Sequence, residues 1–243
     1  MKAIGIVGGV GPSAGVDLAS KIFRHTKASK DQQHLNLFLT SCPSLIPDRT
    51  AYLLEGGDDP APGMQKCMEI LKNCGATAIG VCCNTAHSPR ILSRIAFPEG
   101  VEFINMIDRT CGEISSRYGK AKVGLLATLG TTKTGIYDEY FAKYENLELV
   151  KPEMETVKAV HDAIYNPSYG IKATMPVSAK SRQVLEDAVN QLKSKGCKAV
   201  ILGCTELPLA FEGESSFNGT DLVDPTDVLA CSLIRAVEPE KLI

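Results

Sequence analysis

Two cysteines at matching positions are the residues of this sequence best suited to acid–base chemistry. Cys83 lies in the segment GVCCNTAHS and Cys204 in GCTELPL, and each follows an apolar, strand-like run. Polar residues that can begin a helix come next, and amides at a helix N-terminus stabilise a thiolate and lower the pKa of the thiol. Two thiols on opposite sides of a ligand could remove a proton from one face of a carbon and deliver one to the other. The pattern favours stereoinversion by two bases.

The two cysteines correspond because the chain repeats itself. KAIGIVGGVG matches AKVGLLATLG with Gly5 over Gly124, an offset of 119 residues (124 − 5). LKNCGATAIGVCCNT matches LKSKGCKAVILGCTE, with the two cysteines aligned at an offset of 121 residues (204 − 83). FINMID matches LVDPTD with Phe103 over Leu222, again at 119 residues (222 − 103). Three segments in one order at nearly one offset indicate two halves that arose by duplication.

The vicinal cysteine, Cys82, aligns with Gly203 and has no counterpart in the other half. Successive side chains on a strand point to opposite faces, so we expect Cys82 to point away from Cys83 and to serve in packing. A redox role, such as a vicinal disulfide that switches activity off, is the alternative.

The elements that position the two thiols alternate along the chain. Strand then helix, repeated, predicts parallel sheets with right-handed crossovers, so the fold class is α/β. With the repeat, this predicts two pseudo-symmetric parallel α/β domains, each an αβα sandwich, with the active site in the cleft between them. The strand-like segments are Ala3–Val7, Leu35–Thr40, Ala78–Cys82, Glu102–Asn105, Lys122–Ala127, Leu147–Val150, Ala199–Gly203 and Asp221–Val223. The helix-like segments are Ser13–Lys27, Pro62–Asn73, Ser88–Ile95, Ile107–Arg117, Thr134–Tyr144, Glu153–Ile164, Ala179–Lys195 and Thr226–Val237.

Composition excludes several classes of partner. The chain has 243 residues and a formal net charge of −2, with no basic run that would bind nucleic acid. No apolar stretch approaches the length of a membrane span, and the N-terminus is typical of a strand rather than a signal peptide. Nine cysteines without a CxxC motif, and four histidines without metal-binding spacing, indicate reduced thiols in the cytoplasm and no metal site.

The glycine-rich loop GIVGGVGPSAG satisfies a relaxed dinucleotide-binding fingerprint through Gly9 and Gly11. That fingerprint also needs an acidic residue at the end of the second strand, where this chain has Thr40 and Ser41. Pro12 lies in the turn whose amides should face the phosphates. The loop is therefore either a packing turn or a turn that brings backbone close to a small anionic ligand.

Five segments together resemble the aspartate/glutamate racemase superfamily, specifically its aspartate racemase branch. They are CNTAH, GCTELPL, GIVGGVGP, IPDRT and YGIKA, and they span Gly5 to Pro208. The resemblance implies an isomerase that inverts Cα without pyridoxal phosphate or metal, and a homodimer. It also implies that the last strand and helix return to the first domain, which would comprise residues 1–100 and 209–243, with residues 101–208 forming the second. Cys82 departs from the family, which commonly has proline or another small residue at that position.

The resemblance also implies roles for individual residues. Cys83 and Cys204 would be the proton donor and acceptor. Arg49 and Lys172 would hold the side-chain carboxylate of aspartate, which agrees with the affinity of cationic side chains for carboxylates. Four residues match positions that line the substrate's α-amino and α-carboxylate groups, and they are Asn84, Thr85, Thr205 and Glu206. Thr128 is a weaker candidate for substrate binding, because it lies at a strand end that the repeat pairs with Gly9.

Other functions stay open at this point. A glutamate or broad-specificity racemase needs only small changes in the Pro- and Gly-rich segment Pro43–Pro62, which is typical of a mobile lid. Hydantoin racemases, maleate isomerases and a non-catalytic protein that binds an acidic amino acid are further alternatives. His87 could serve as a base for a Cys83 nucleophile, but no orienting Asp or Asn is apparent.

Overall fold

The computed structural model describes residues 2–174 and 176–243 and shows an α/β protein with two sheets. The chain divides into two compact units, Met1–Arg109 with Thr226–Ile243, and Thr110–Pro225. The predicted fold class, with one parallel sheet in each of two units, is confirmed. Among the described residues, no helix combines the length and the apolar character needed to cross a membrane.

The first sheet has four parallel strands in the order β2–β1–β3–β4. Its strands are β1 (Ala3–Gly8), β2 (Asn36–Ser41), β3 (Ala78–Val81) and β4 (Glu102–Ile104), and the accompanying helices are α1 (Pro12–His25), α2 (Arg49–Glu55), α3 (Ala61–Asn73) and α4 (Pro89–Leu92). Every residue of β1 and of β3 is buried. Such strands are covered on both faces, which explains why they consist of aliphatic residues and glycine without polar alternation.

Helices cover both faces of this sheet. A Cβ atom on Gly5 would lie 3.3 Å from Leu71 Cβ, which places α3 on one face. A Cβ on Gly8 would lie 3.5 Å from the Cα of Gly15, which places α1 on the other face, because residues 5 and 8 point to opposite sides of the strand.

The second sheet repeats the order of the first and adds one edge strand. The order is β6–β5–β7–β9–β8, in which the first four strands are parallel and β8 pairs antiparallel with β9. The strands are β5 (Ala121–Ala127), β6 (Leu147–Val150), β7 (Ala199–Gly203), β8 (Ser216–Phe217) and β9 (Thr220–Val223). The helices from the end of β4 onward are α5 (Met106–Tyr118), α6 (Leu129–Thr134), α7 (Ile136–Phe141), α8 (Met154–Tyr165), α9 (Ala179–Ser194), α10 (Leu207–Ala210) and α11 (Pro225–Val237).

The same packing contact recurs in both units at the repeat offset. A Cβ on Gly124 of β5 would lie 3.1 Å from Leu192 Cβ on α9, as Gly5 of β1 approaches Leu71 on α3. Glycine at both positions lets the helix approach the sheet closely. Strand order and helix contact therefore both support the internal duplication.

The predicted domain ranges differ from the observed units in the assignment of the fourth strand. Those ranges would put β4 in the second domain and β9 in the first, whereas β4 pairs with β3 and β9 pairs with β7. The prediction was wrong for these strands because each completes the open edge of its own sheet with backbone hydrogen bonds. The helix that follows is the element that changes unit, since residues 110–118 of α5 belong to the second unit and α11 belongs to the first from Thr226 onward.

Two local expectations also differ from the structure. The helix predicted over Thr134–Tyr144 is replaced by α6 and α7, which are separated by Gly135 in the left-handed conformation (φ 67°). The segment Pro43–Pro62 contains α2, which begins after Asp48, whose side chain accepts a hydrogen bond from Ala51 N at 2.8 Å. An aspartate at this position satisfies an amide of the first turn, so a short helix forms between the flanking prolines and glycines.

Candidate active site

Both predicted catalytic cysteines lie just past the carboxyl end of a central strand. Cys83 is the second residue after β3, and Cys204 is the first residue after β7. Both are buried, at 7% and 9% relative exposure. The carboxyl ends of parallel strands are where open α/β sheets bind ligands. Each unit thus carries one of the two predicted cysteines at its candidate binding edge.

The two vicinal cysteines have different environments. Cys82 is fully buried, and its Sγ donates a hydrogen bond to the carbonyl oxygen of Ala14 at 3.0 Å, on the face covered by α1. Cys83 instead belongs to the apolar cluster that contains Val81 and Met64, on the face covered by α3. Alternation along the strand therefore separates the two sulfurs, and Cys82 packs beneath α1.

His87 holds the backbone of the Cys83 turn. Its Nδ1 lies 2.8 Å from the carbonyl oxygen of Cys83. A carbonyl only accepts hydrogen bonds, so Nδ1 carries the hydrogen. Burial lowers the pKa of His87 to about 4, so the imidazole is neutral at physiological pH. These contacts give His87 a structural role, and the hydrogen bond runs to the peptide rather than to the thiol.

The other polar residues of this turn are buried beside Cys83. Asn84 and Thr85 have relative exposures of 4% and 9%. Asn84 precedes a single 3-10 turn, Thr85–His87, and its carbonyl accepts a hydrogen bond from His87 N at 3.1 Å. Both residues therefore lie in a buried turn of the backbone that directly follows Cys83 in the chain.

Arg49 joins the glycine loop to the start of α2. Its Nη2 donates to the carbonyl oxygen of Val10 at 3.0 Å, and its Nη1 donates to that of Pro47 at 3.1 Å. Gly9 has a φ of 77°, and a Cβ there would lie 2.7 Å from Cys42 N. The loop therefore requires glycine for both conformation and space. Val10 belongs to the same apolar cluster as Cys83. Because Arg49 is hydrogen-bonded to Val10, it lies at the same edge of the sheet as Cys83.

The second thiol is hydrogen-bonded to an ion pair. Cys204 Sγ donates to Glu206 Oε2 at 3.0 Å, and Thr205 Oγ1 donates to the same oxygen at 3.1 Å. The other carboxylate oxygen, Oε1, accepts from Lys172 Nζ at 2.5 Å. Lys172 is also placed over the ring of Tyr165, 5.3 Å from its centroid. These contacts form a chain that runs from an ammonium group through a carboxylate to a thiol.

The charges in this chain determine which group carries the proton. Burial alone would raise the pKa of Glu206, but Lys172 and the hydrogen bonds from Lys172, Cys204 and Thr205 lower it below its usual value. Burial raises the pKa of Cys204 well above its usual value, and the Glu206 carboxylate raises it further. Cys204 is therefore a thiol beside an ionised carboxylate. The expected lowering of a thiol pKa at a strand end is wrong for Cys204, since burial and a neighbouring anion outweigh the helix amides.

Thr128 lies at the same edge of the second sheet as Cys204, immediately after β5. Its hydroxyl oxygen accepts a hydrogen bond from Thr131 N at 3.2 Å and caps α6. Next to it, Leu129 N donates to Nδ1 of His161 at 3.4 Å. Thr128 thus has a structural role in capping in addition to its place at the edge.

An aromatic pair that was not predicted from the sequence lies beside this site. His161 and Tyr165 on α8 lie one helical turn apart, with ring centroids 4.8 Å from each other. The (i, i+4) spacing of two aromatic residues, with Tyr165 seven residues before Lys172, was the available signal. Tyr165 supports the Lys172 ammonium through a cation–π contact.

The predicted site residues therefore form two groups, one in each unit. The first unit holds Gly9, Arg49, Cys83, Asn84 and Thr85, and the second holds Thr128, Lys172, Cys204, Thr205 and Glu206. Direct hydrogen bonds link four of the five in the second group.

Duplicated parallel sheets, each with a buried thiol past the end of its third strand in chain order, define an α/β protein with the same arrangement in both units. The chain belongs to the Asp/Glu/hydantoin racemase family, whose model matches residues 7–233. It is therefore an isomerase of the racemase class.

Solved structures and a curated relative agree with this assignment. An aspartate racemase from Picrophilus torridus is 28% identical with a TM-score of 0.80, covering 99% of this chain and 98% of the other. A putative Asp/Glu racemase from Yersinia pestis is 25% identical with a TM-score of 0.77, covering 96% and 97%. A glutamate racemase from Thermus thermophilus is 28% identical over 172 residues, which are 70% of this chain and 58% of the relative.

Proposed function

We propose that the protein interconverts L- and D-aspartate by proton transfer at Cα, with Cys83 and Cys204 as the two acid–base groups. The observation that carries the proposal is the placement of two buried thiols past equivalent strands of a duplicated fold. The similarity to an aspartate racemase over nearly the whole chain supports the choice of reaction.

The proposed step is a transfer between two faces of one carbon. A Cys83 thiolate takes the Cα proton, and the electron pair of the C–H bond passes into the α-carboxylate system as carbanion character. The Cys204 thiol then gives its proton to the opposite face of Cα, which forms the other enantiomer. Cys83 is left as thiol and Cys204 as thiolate. The reverse reaction starts with Cys204 as thiolate and Cys83 as thiol, so the transfer at Cα itself balances between the two cysteines.

Glu206 has a natural part in this exchange. Its carboxylate already accepts the Cys204 hydrogen at 3.0 Å, so it can receive that proton when Cys204 must act as a base. Lys172 at 2.5 Å keeps the carboxylate ionised while Cys204 is protonated. We therefore propose that Glu206 accepts the proton of Cys204, in addition to the substrate contact expected from the sequence.

The proposed substrate is acidic because two cationic side chains belong to the candidate site. Arg49 is oriented by two backbone carbonyls, and Lys172 is held by Glu206 and Tyr165. These groups would bind the distal carboxylate, for which a guanidinium offers a two-pronged contact. The α-amino and α-carboxylate groups would be held by the remaining candidates, which are Gly9, Asn84, Thr85, Thr128 and Thr205.

Deuterium exchange tests the proposal directly. The protein is incubated with L-aspartate in D₂O, and Cα deuteration is followed by NMR while D-aspartate is measured by chiral chromatography. We expect both signals in the wild-type protein and no D-aspartate from Cys83→Ser or Cys204→Ser, because each variant lacks the acid–base group on one face of Cα. The remaining thiol can still exchange the Cα hydrogen on its own face, so D-aspartate formation at the wild-type rate in either variant is the result that would contradict the two-thiol mechanism.

The same assay separates the alternative functions. A glutamate or broad-specificity racemase would deuterate L-glutamate as fast as L-aspartate or faster. A non-catalytic binding protein would be stabilised against heat by aspartate without any deuteration. The similarity to a glutamate racemase is the observation that favours the first alternative.

The proposal also includes a homodimer in the cytoplasm that works without pyridoxal phosphate. Racemisation should survive hydroxylamine treatment and dialysis, which remove that cofactor. Light scattering coupled to size-exclusion chromatography should give twice the mass of the 26.1 kDa chain.

A further inference from the structure

A second cluster of reactive side chains lies in the first unit, away from the Cys83 turn. His25 is the last residue of α1, and Asp227 and Cys231 lie in the first two turns of α11. One donor atom from each residue can be chosen such that all three lie within 4.8 Å of one another. His25 Nε2 and Asp227 Oδ1 are 2.7 Å apart. The three side chains are half-buried, so ions can reach them from solvent.

The fold brings these residues together although His25 and Asp227 are 202 positions apart. A Cβ on Gly80 would lie 3.0 Å from Leu229 of α11. Gly80 pairs with Ile6 and so faces the side of the sheet that α1 covers. Helices α1 and α11 are therefore neighbours on one face. Asp227 and Cys231 are four residues apart and project from the same side of α11.

The backbone around His25 is held by the C-terminal segment. Ile243 N donates to the carbonyl oxygen of His25 at 3.0 Å, and Thr26 forms a bridge with Leu242. Lys27 N donates to the carbonyl oxygen of Lys241 at 2.7 Å. The imidazole is thus attached to a fixed backbone, which reduces the entropy lost when a ligand is bound.

The donor set matches a borderline divalent cation. Imidazole nitrogen, carboxylate oxygen and thiolate sulfur bind Zn²⁺ at about 2.0–2.3 Å, which places tetrahedral ligands about 3.3–3.8 Å apart. The observed distances need side-chain shifts of about 1 Å to reach this geometry. A set with one thiolate and one imidazole favours zinc-class metals over Mg²⁺ and Ca²⁺, which prefer oxygen ligands.

We propose that His25, Asp227 and Cys231 bind one divalent cation of the zinc class, with water as the fourth ligand. Binding displaces the proton of the Cys231 thiol, so one proton is released for each ion. The ion would link α11, which follows the second unit in the chain, to α1, which packs on the sheet of the first unit. Helix α1 spans about 20 Å from the glycine loop to His25, so the ion would stabilise the first unit without touching the Cys83 turn.

Cobalt titration tests the site without any measurement of racemisation. Reduced protein is freed of metal with a chelator, and Co²⁺ is added while the thiolate-to-metal absorption and the visible bands of tetrahedral Co²⁺ are recorded. We expect one equivalent of Co²⁺ with both signals, and displacement of both by Zn²⁺. Calorimetry with Zn²⁺ in two buffers of different ionisation enthalpy should show one proton released.

Matched variants assign the ligands. His25→Asn, Asp227→Asn and Cys231→Ser should each weaken Zn²⁺ binding at least tenfold, and Cys231→Ser should remove the sulfur absorption. Cys74→Ser removes an exposed thiol in the turn after α3 and should bind like the wild type. Circular dichroism identifies any variant that does not fold, and the remaining variants then decide the question. The proposal would be overturned if the wild-type protein bound no equivalent of Co²⁺. It would also be overturned if folded variants of His25, Asp227 or Cys231 bound Zn²⁺ as tightly as the wild type.

Discussion

The two thiol turns occupy equivalent places in the repeated fold and differ in the groups that surround the sulfur. In the first unit, Cys83 lies among apolar residues, and His87 binds the peptide carbonyl rather than the sulfur. In the second unit, Cys204 donates to Glu206, which Lys172 holds as a carboxylate. At the repeat offset, Glu206 replaces Thr85 (206 − 85 = 121). The duplication thus retained the position of the thiol while the two turns acquired different means of controlling it.

The proposed two-base mechanism therefore does not rely on two equal bases. In that mechanism the substrate would present different faces to the two thiols, and each thiol would alternate between acid and base. In the proposed mechanism, Cys204 has a built-in carboxylate to receive its proton.

The largest effect should come from removing either thiol. Cys83→Ala and Cys204→Ala should each reduce racemisation by on the order of 10³–10⁴-fold, because each removes a group that transfers a proton in the transition state. Chiral chromatography in both directions measures the loss. The Cys82→Ser control should retain activity within about twofold, since serine can still donate to the Ala14 carbonyl. A large loss in that control would show that the vicinal thiol takes part.

The next effect concerns Glu206. Glu206→Gln should reduce racemisation by roughly 10²-fold, because the proton acceptor for Cys204 is lost. Burial raises the pKa of Cys204 most, and the Glu206 carboxylate raises it further. Because Glu206→Gln removes that carboxylate, alkylation of Cys204 should begin at lower pH. Mass spectrometry after iodoacetamide treatment across a pH series measures this shift. Glu212→Gln, at an exposed carboxylate nearby in sequence, is the control. An unchanged alkylation profile in Glu206→Gln would contradict the assignment of Glu206 to Cys204.

Removal of Lys172 should leave the Glu206 carboxylate without its cation. Lys172→Met should destabilise the protein by roughly 2–3 kcal/mol at pH 7, less than for a fully buried pair because Lys172 is 32% exposed. The pKa of Glu206 is lower in the folded protein than in the unfolded chain, so ionised Glu206 stabilises the folded state at pH values above its unfolded pKa. This stabilisation is lost as the pH falls through the folded pKa. The destabilisation should therefore shrink as the pH falls, as urea denaturation at several pH values would show.

Two further variants make this measurement specific. Adding Glu206→Gln to Lys172→Met should restore part of the stability at pH 7, because no unpaired charge is then buried. Lys195→Met breaks a surface pair with Glu153 and should destabilise the protein much less, because water and salt screen an exposed pair. Equal losses in Lys172→Met and Lys195→Met would show that the Glu206 pair is no more important than a surface contact.

The smallest predicted effect concerns His87, in the turn that contains Cys83. Burial lowers the pKa of His87 from 6.5 to about 4, so the unfolded chain binds a proton in this range that the folded chain does not. Stability should therefore fall by about 2 kcal/mol between pH 7 and pH 5 through this residue alone. In His87→Asn, which retains a donor for the Cys83 carbonyl, that part of the pH dependence should disappear. His34→Asn is the matched control, and a pH dependence equal to that of the wild type in His87→Asn would contradict the role of His87.

Much of the architecture was predictable because it depends on local patterns. Strand β7 was predicted at its observed bounds, since a continuous apolar run between turns is typical of a buried strand. Strand β6 was also predicted at its observed bounds, although Glu148 interrupts its apolar residues. The break at Gly135 and the short helix α2 were missed because each depends on one residue, a left-handed glycine and a capping aspartate. The edge strand β8 has two residues, too few for a periodic signal.

The sequence alone determined the pairing of Cys83 with Cys204, because a duplication preserves spacing, and the alternation of a strand predicted that Cys82 points elsewhere. Only the tertiary structure showed that Glu206 lies between Cys204 and Lys172, and that His25 lies beside Asp227. Lys172 and Glu206 are 34 positions apart, and His25 and Asp227 are 202 apart. The partners of a side chain at such separations depend on how strands and helices pack, and that packing also determines the burial that raises the pKa of Cys204.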